Sequence, residues 1–177
     1  MVKLYDLCGI MNKLKPIICE PAKHADIPEL VDLCLIVERQ HENYWPLRWQ
    51  LRADIRQRYI NWMTGNLEKP EWLYLVARLP GTKKKPAIIA GGLVAAIMPE
   101  IPIYAFTNYA FIHDMAVKPE FRRHGIARKL MLTAKDWATS KGVNQLRLMA
   151  AEANTPARAL FEQLGFRTTY REMVLPI

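Results

Sequence analysis

Around Gly125 the chain gathers Lys118, Arg122, Arg123, Arg128 and Lys129, where a strand-like run from Ala110 to Val117 gives way to helical spacing from Ile126. The first turn of any helix presents unpaired N–H groups and a partial positive charge. Crowding arginines onto that end is self-repulsive unless something negative is held there. The chemistry that fits is a phosphate or pyrophosphate gripped by backbone amides with arginine help. A solvated basic loop is the plainer alternative. No Walker A loop (G-x-x-x-x-G-K-[ST]) and no dinucleotide fingerprint (G-x-G-x-x-G) occurs, which disfavours ATP and NAD.

Other reactive residues are scattered. His24, His41, His113 and His124 show no H-E-x-x-H or comparable spacing, so no metal is expected. Cys8, Cys19 and Cys34 are odd in number and lack C-x-x-C spacing, which suggests neither a disulfide framework nor a zinc site and points to a reducing cytoplasm. Lys83 to Lys85 follow Pro80-Gly81 and read as a solvated hairpin loop.

The elements that must position the basic loop follow from periodicity. Residues 1–14 read as an extension, followed by a single domain over 15–177 with a first strand near Pro16 to Cys19. Asp26-Ile27-Pro28-Glu29 predicts a capping box, with Ile27, Leu30, Val31, Cys34 and Val37 at helical spacing behind it. His41 to Trp49 is expected as a loop. A second helix is expected from Gln50 to Thr64, stopped by Gly65, with Ile55, Tyr59, Trp62 and Met63 buried. Trp72–Leu79, Ala87–Met98 and Ala110–Val117 read as strands, the first two joined by the PGTKKK turn. Ile126, Leu130, Ala134, Trp137 and Ala138 mark a helix ended by Gly142. A strand over Gln145–Ala150 and a helix from Thr155 (as N-cap) and Pro156 to Gly165 follow. Two strands over Phe166–Thr169 and Glu172–Leu175 complete an α/β fold: a mixed, mostly antiparallel sheet flanked by helices.

Composition agrees. The 177 residues are 51% hydrophobic and 24% charged, which excludes a disordered chain and suits one domain. The longest apolar run, Ala87 to Met98, is too short to span a bilayer, and the N-terminus shows no signal-peptide core. A net charge of +8 suits nucleic acid, an anionic membrane or an anionic small molecule. Nucleic acid ranks last, because the basic residues concentrate at a junction with a better explanation.

Arg122-Arg123-His124-Gly125-Ile126-Ala127 matches the [QR]-x-x-G-x-[GA] signature of the GNAT N-acyltransferase superfamily. Asn154-Thr-Pro-Ala-Arg-Ala-Leu-Phe-Glu-Gln-Leu-Gly-Phe166 resembles that family's later N-x-x-A-x-x-L-Y-x-x-x-G-F pattern. Ordered as they are, the two motifs extend the resemblance over about residues 15–177. It implies the GNAT fold and an acetyl-CoA site. The amides and side chains of Arg122, Arg123, His124, Gly125, Ile126, Ala127 and Arg128 would cradle the pyrophosphate. The strand through Met115, Ala116 and Val117 would bind the pantetheine arm, and Asn154, Ala157 and Phe161 would flank its thiol end. A homodimer is common among similar proteins.

Acetyl transfer needs a neutral amine, and an amine of pKa near 10.4 is handicapped by about 4.6 kcal/mol at pH 7. His113 and Asp114 are the candidate bases. Two-residue alternation places His113 on the face of Met115 and Val117 and so favours it, although such strands are often bulged. The family's tyrosine general acid is replaced by Phe161, which cannot donate a proton; a thiol pKa near 8.5 still makes CoA thiolate a tolerable leaving group. Tyr109 and Tyr170 are the substitutes considered. His41, Glu42, Tyr44, Trp45 and Tyr170 would hold the amine acceptor, whether small molecule, peptide or protein. The leading expectation is an N-acetyltransferase acting directly on a bound amine. The alternative is a catalytically weak or inactive acyl-CoA-binding sensor, for which Phe161 speaks.

Overall fold

Four consecutive antiparallel strands and one parallel strand build the sheet of the computed structural model, which describes residues 17–82 and 85–177. The expected extension 1–14, Pro16 and Lys83–Lys84 lie outside the described residues. Strands β1 (Ile18–Pro21), β2 (Trp72–Leu79), β3 (Ile88–Pro99) and β4 (Asn108–Val117) pair in chain order, and β5 (Leu146–Leu148) joins β4 in parallel. This is the mixed, mostly antiparallel sheet that periodicity and resemblance imply.

Helices cover both faces. On one lie α1 (Ile27–Tyr44), the short α2 (Pro46–Trp49) and α3 (Ile55–Asn66). Their core joins Leu30, Val31, Cys34 and Met63 to Tyr74 and Val94, with Leu33 meeting Val76 and Ala116. On the other face α4 (Ile126–Ser140) packs Ile126, Leu130 and Ala134 against Leu75, Leu93 and Ile112. The final helix, α5 (Thr155–Gln163), leans Phe161 against the same cluster. Each fully buried leucine here contributes about 1.5–3 kcal/mol of transfer free energy. The run expected as a buried strand is β3, and its glycines have a packing reason. A Cβ on Gly92 would meet Leu30 Cδ1 at 2.2 Å, and one on Gly91 would meet the Ala116 carbonyl at 2.8 Å.

Several expected boundaries are corrected. Asp26 makes no side-chain cap bond to α1; its carboxylate accepts from the Lys23 N–H, which caps the short 3-10 turn His24–Asp26 instead, and from the Arg78 guanidinium, both at 2.9 Å. The region 41–49 is helical: α1 runs on to Tyr44, Trp45 is extended, and Pro46 opens α2 with its preset φ. The next helix starts at Ile55, not Gln50, and Gly65 lies inside it, with Asn66 Nδ2 donating to the Trp62 carbonyl at 2.8 Å. Asn154, not Thr155, caps α5, its Oδ1 accepting from Ala157 N at 3.3 Å. β5 is shorter than Gln145–Ala150. The two expected terminal strands do not form. Beyond Phe166 no backbone pairs with the described residues, and alternation without a neighbouring edge cannot make a strand. That tail is tied by Glu172, which accepts two hydrogen bonds from Arg48.

Candidate functional site

A bulge organises the site. Val94 pairs with Asp114 and Ala95 with Ile112, leaving His113 as an extra residue of β4. Before it, Ala110 and Ile112 face the α4 side; after it, Met115 and Val117 do. His113 and Asp114 both turn to the α1–α3 side. Alternation therefore misplaces His113. Its ring lies across the sheet from Met115 and Val117, 5.2 Å from Trp72, 5.6 Å from Trp62 and 5.1 Å from Phe111.

On its other edge β4 is open. β5 pairs only Ala110–Ile112, so among the described residues no strand lies beside Asp114–Val117 there. Lys118 N donates to the Ala90 carbonyl of β3, and by ladder alternation the N–H and C=O groups of Met115 and Val117 point to the open edge. Arg122 Nε donates to the Val117 carbonyl at 3.1 Å, which closes the loop back on that edge. Arg123 (φ 66°) and Gly125 (φ 75°) take left-handed conformations that turn the chain into α4. Nothing lies within 4 Å of a Cβ built on Gly125, so its need for glycine is conformational and the space before it is clear. The N–H groups of Ile126, Ala127 and Arg128 form the free first turn of α4, and Lys129 N is the first to bond back, to Gly125 O. Arg122, Arg123, His124 and Arg128 are exposed, and among the described residues no carboxylate pairs with them. Open strand edge, clear space, free amides and unpaired arginines fit a pyrophosphate-tailed ligand on a slender arm. Ala116 instead faces the α1 side, and the same alternation turns its N–H and C=O toward β3, so it offers the open edge neither side chain nor backbone polar group. Asn154 and Ala157 form the N-terminal cap of α5. Phe161 packs edge-on against Phe166 at 5.9 Å, Tyr109 lies under the Arg147 guanidinium and Tyr170 is exposed.

Across the sheet, Ile55, Arg58, Tyr59, Trp62, His113 and Asp114 line a cavity of about 350 Å³. Asp114 is 5% exposed. Burial first, then the neighbouring Glu38 carboxyl, raises its pKa to about 7, while a hydrogen bond from Tyr59 works the other way. Tyr59 Oη also donates to Glu38 Oε1 at 3.2 Å. Burial lowers the pKa of His113, so it favours the neutral ring. Among the described residues Asp114 Oδ1, His113 Nε2 and Tyr74 Oη are buried polar atoms without a hydrogen-bond partner. Glu38, Tyr59, Trp62 and Trp72 escaped the sequence reading as site residues. An acid four positions after Cys34, on the apolar stripe of α1, was the available signal for Glu38.

The expected acceptor residues sit elsewhere. His41 stacks on Trp49 at 5.4 Å, Tyr44 bonds Gln40, and Glu42 accepts from Leu51 N at 2.9 Å. Trp45 and Tyr170 are exposed, and none of the five lines the cavity. Through Leu51, Glu42 borders a second concavity of about 520 Å³ formed by Gln50–Asp54, directly ahead of Ile55. No group of three potential metal ligands and no membrane-length apolar helix occurs among the described residues.

The family model described as "Acetyltransferase (GNAT) family" matches residues 26–166, from the start of α1 through the arginine loop to the end of the second motif. The chain belongs to the GNAT acetyltransferase family. It is 30% identical over 105 residues to a thialysine N-epsilon-acetyltransferase from Bos taurus, covering 55% of this chain and 57% of that protein; it thus spans about half the length of the curated relatives it matches. GNAT-like architecture recurs in a mutant BH1408 protein from Bacillus halodurans (TM-score 0.74, 20% identity, 90% of this chain and 99% of that one). A predicted acetyltransferase with acetyl-CoA from Clostridium acetobutylicum aligns with TM-score 0.68 at 19% identity, over 91% and 96% of the two chains. At such identities these structures share the GNAT fold and nothing finer.

Proposed function

We propose that this GNAT protein is a cytoplasmic N-acetyltransferase that moves an acetyl group from acetyl-CoA directly to a primary amine. The observation that carries the reading is the β4 bulge. It sets a buried acid, Asp114, against one face of the strand whose open edge and neighbouring arginine loop fit the coenzyme. The free amides of Ile126–Arg128 with Arg123 and Arg128 would hold the pyrophosphate, and the Met115 and Val117 backbones the pantetheine arm. Acetyl-CoA supplies the activated acetyl group; the chain's own residues handle the proton.

The amine enters as R–NH3⁺ on the α1–α3 side, against Trp62 and Tyr59, where aromatic faces and the acids attract a cation. Asp114, with a pKa near 7, takes one proton from it. The overall balance is R–NH3⁺ plus acetyl-CoA giving R–NH–CO–CH3, CoA–SH and H⁺. The remainder of a larger acceptor would reach over Gln50–Asp54 toward Glu42 and His41. Exposed Met173 and Leu175 on the unpaired tail support the homodimer, which light scattering tests; a monomeric mass overturns it.

Calorimetry with acetyl-CoA, followed by a mass-spectrometric screen of amines, tests the whole reading. Gly125→Asp puts an anion and a strained φ at the arginine loop and is expected to weaken coenzyme binding about tenfold to hundredfold. Gly125→Ala should lose only about 1 kcal/mol of stability. Unchanged affinity in Gly125→Asp refutes the placement. A second reading, a coenzyme-binding sensor without turnover, is favoured by Phe161 alone; tight acetyl-CoA binding with no CoA release across the panel would select it.

A further inference from the structure

Two carboxyls meet beneath the cavity, and the cation on its lining, Arg58, is paired with Asp54. Glu38 comes from α1, Asp114 from the β4 bulge, and Tyr59 Oη of α3 bonds Glu38 at 3.2 Å while also reaching Asp114. The groups that face Asp114 are Glu38 and Cys34 from α1, Tyr59 from α3, Tyr74 from β2 and His113 from its own strand. None is a permanent cation. The basic side chains nearby are engaged: Arg58 with Asp54 at 2.8 Å, Arg56 with Asp32 at 2.7 Å and Lys118 with Glu29 at 2.6 Å. A fold selected for stability alone gains nothing from a second acid beside a buried one. A proton or the incoming ammonium group neutralises such a pair.

We propose that Glu38 is a positioning residue that makes Asp114 a proton acceptor and gives its proton a way out. The assignment rests on Asp114 acting as the base of the acetyl transfer described above. Asp114 is 5% exposed and cannot exchange freely with water, whereas Glu38 is only half-buried and reaches the surface side of the pair. When R–NH3⁺ gives its proton to the Asp114 carboxylate, the O–H so formed faces the Glu38 carboxylate. The proton then passes to Glu38 and to water, restoring the Asp114 anion, with no net change in the pair. Burial by itself would also favour a protonated Asp114; the second negative charge, held in place by Tyr59, sets how strongly and supplies the next acceptor.

Carbon-13 NMR of the carboxyl groups in the unliganded full chain, titrated from pH 4 to 9, tests the pair without any turnover. In the wild type the Asp114 signal is expected to titrate near neutrality. In Glu38→Gln the Asp114 midpoint should fall by about one pH unit or more, a tenfold loss of proton affinity. With saturating acetyl-CoA and a turned-over amine, the acid limb of the rate profile should fall by the same amount, with KM for acetyl-CoA unchanged. Glu38→Asp, which keeps the charge, should retain most of the wild-type midpoint. An Asp114 midpoint that stays within about 0.3 unit in a folded Glu38→Gln overturns the proposal. So does a wild-type Asp114 midpoint in the ordinary carboxylate range, a reading that stands even if the variant fails to fold. A shifted midpoint with no amine acetylated would leave the pair intact and remove the acetyl-transfer reading. Turnover with an unmoved midpoint would do the reverse.

Discussion

Asp114 carries a conflict between folding and chemistry, and its sign can be worked out. Its folded pKa, about 7, lies above the ordinary carboxylate value because of burial and then Glu38. Its protonated form is therefore the one the fold prefers. That stability is present in acid and is lost as pH climbs from about 4 through 7. Asp114→Asn keeps the shape, removes the charge and is expected to stabilise the protein at pH 8 by on the order of 1–3 kcal/mol. The same variant should cut turnover by about a hundredfold or more; urea melts and initial rates check the two halves. His113 runs in the opposite sense. Its depressed pKa favours the neutral ring, so its contribution fades as pH drops below about 6.5. Wedged among Trp62, Trp72 and Phe111, it is a packing residue first. His113→Ala should lose about 2–4 kcal/mol of stability yet keep the acid limb of the rate profile; disappearance of that limb would make His113 the base instead.

At the scale of elements, the strands β2 to β4 and helix α4 were legible because their periods are unmixed: alternating or continuous apolar runs for the sheet, a clean 3.6-residue stripe for Ile126–Ala138. The arginine loop was legible for the same reason, since charge crowded at a strand-to-helix junction has few uses. Two kinds of feature were not. A bulge is invisible to alternation, so the orientation of His113 could not be read from its parity. Helix ends that depend on partners far along the chain were also hidden, such as Asp26, which Arg78 claims across 52 positions. Arg78→Met is therefore expected to cost about 3–5 kcal/mol, because it strands a buried carboxylate, and the loss should shrink in acid. The glycine pair of β3 makes a similar test. Gly92→Val must push Leu30, and with it α1, off the sheet, at about 1–3 kcal/mol in thermal denaturation.

For the molecule as a whole, a net charge of +8 acts at long range on an anionic ligand. Stopped-flow association of acetyl-CoA should slow by about tenfold or more between 0.05 and 0.5 M salt, with dissociation changed far less. A salt-independent on-rate would mean that the exposed arginines act only on contact. The bulge has a consequence at this scale as well. Because one supernumerary residue reverses which side chains look which way, β4 serves as a party wall between two compartments. Positions 109, 111, 113 and 114 furnish one room, and 110, 112, 115 and 117 the other. Substitutions on the first side can redecorate it without touching the second, so a lineage can refurnish the cavity compartment while the open edge and the arginine loop stay as they are.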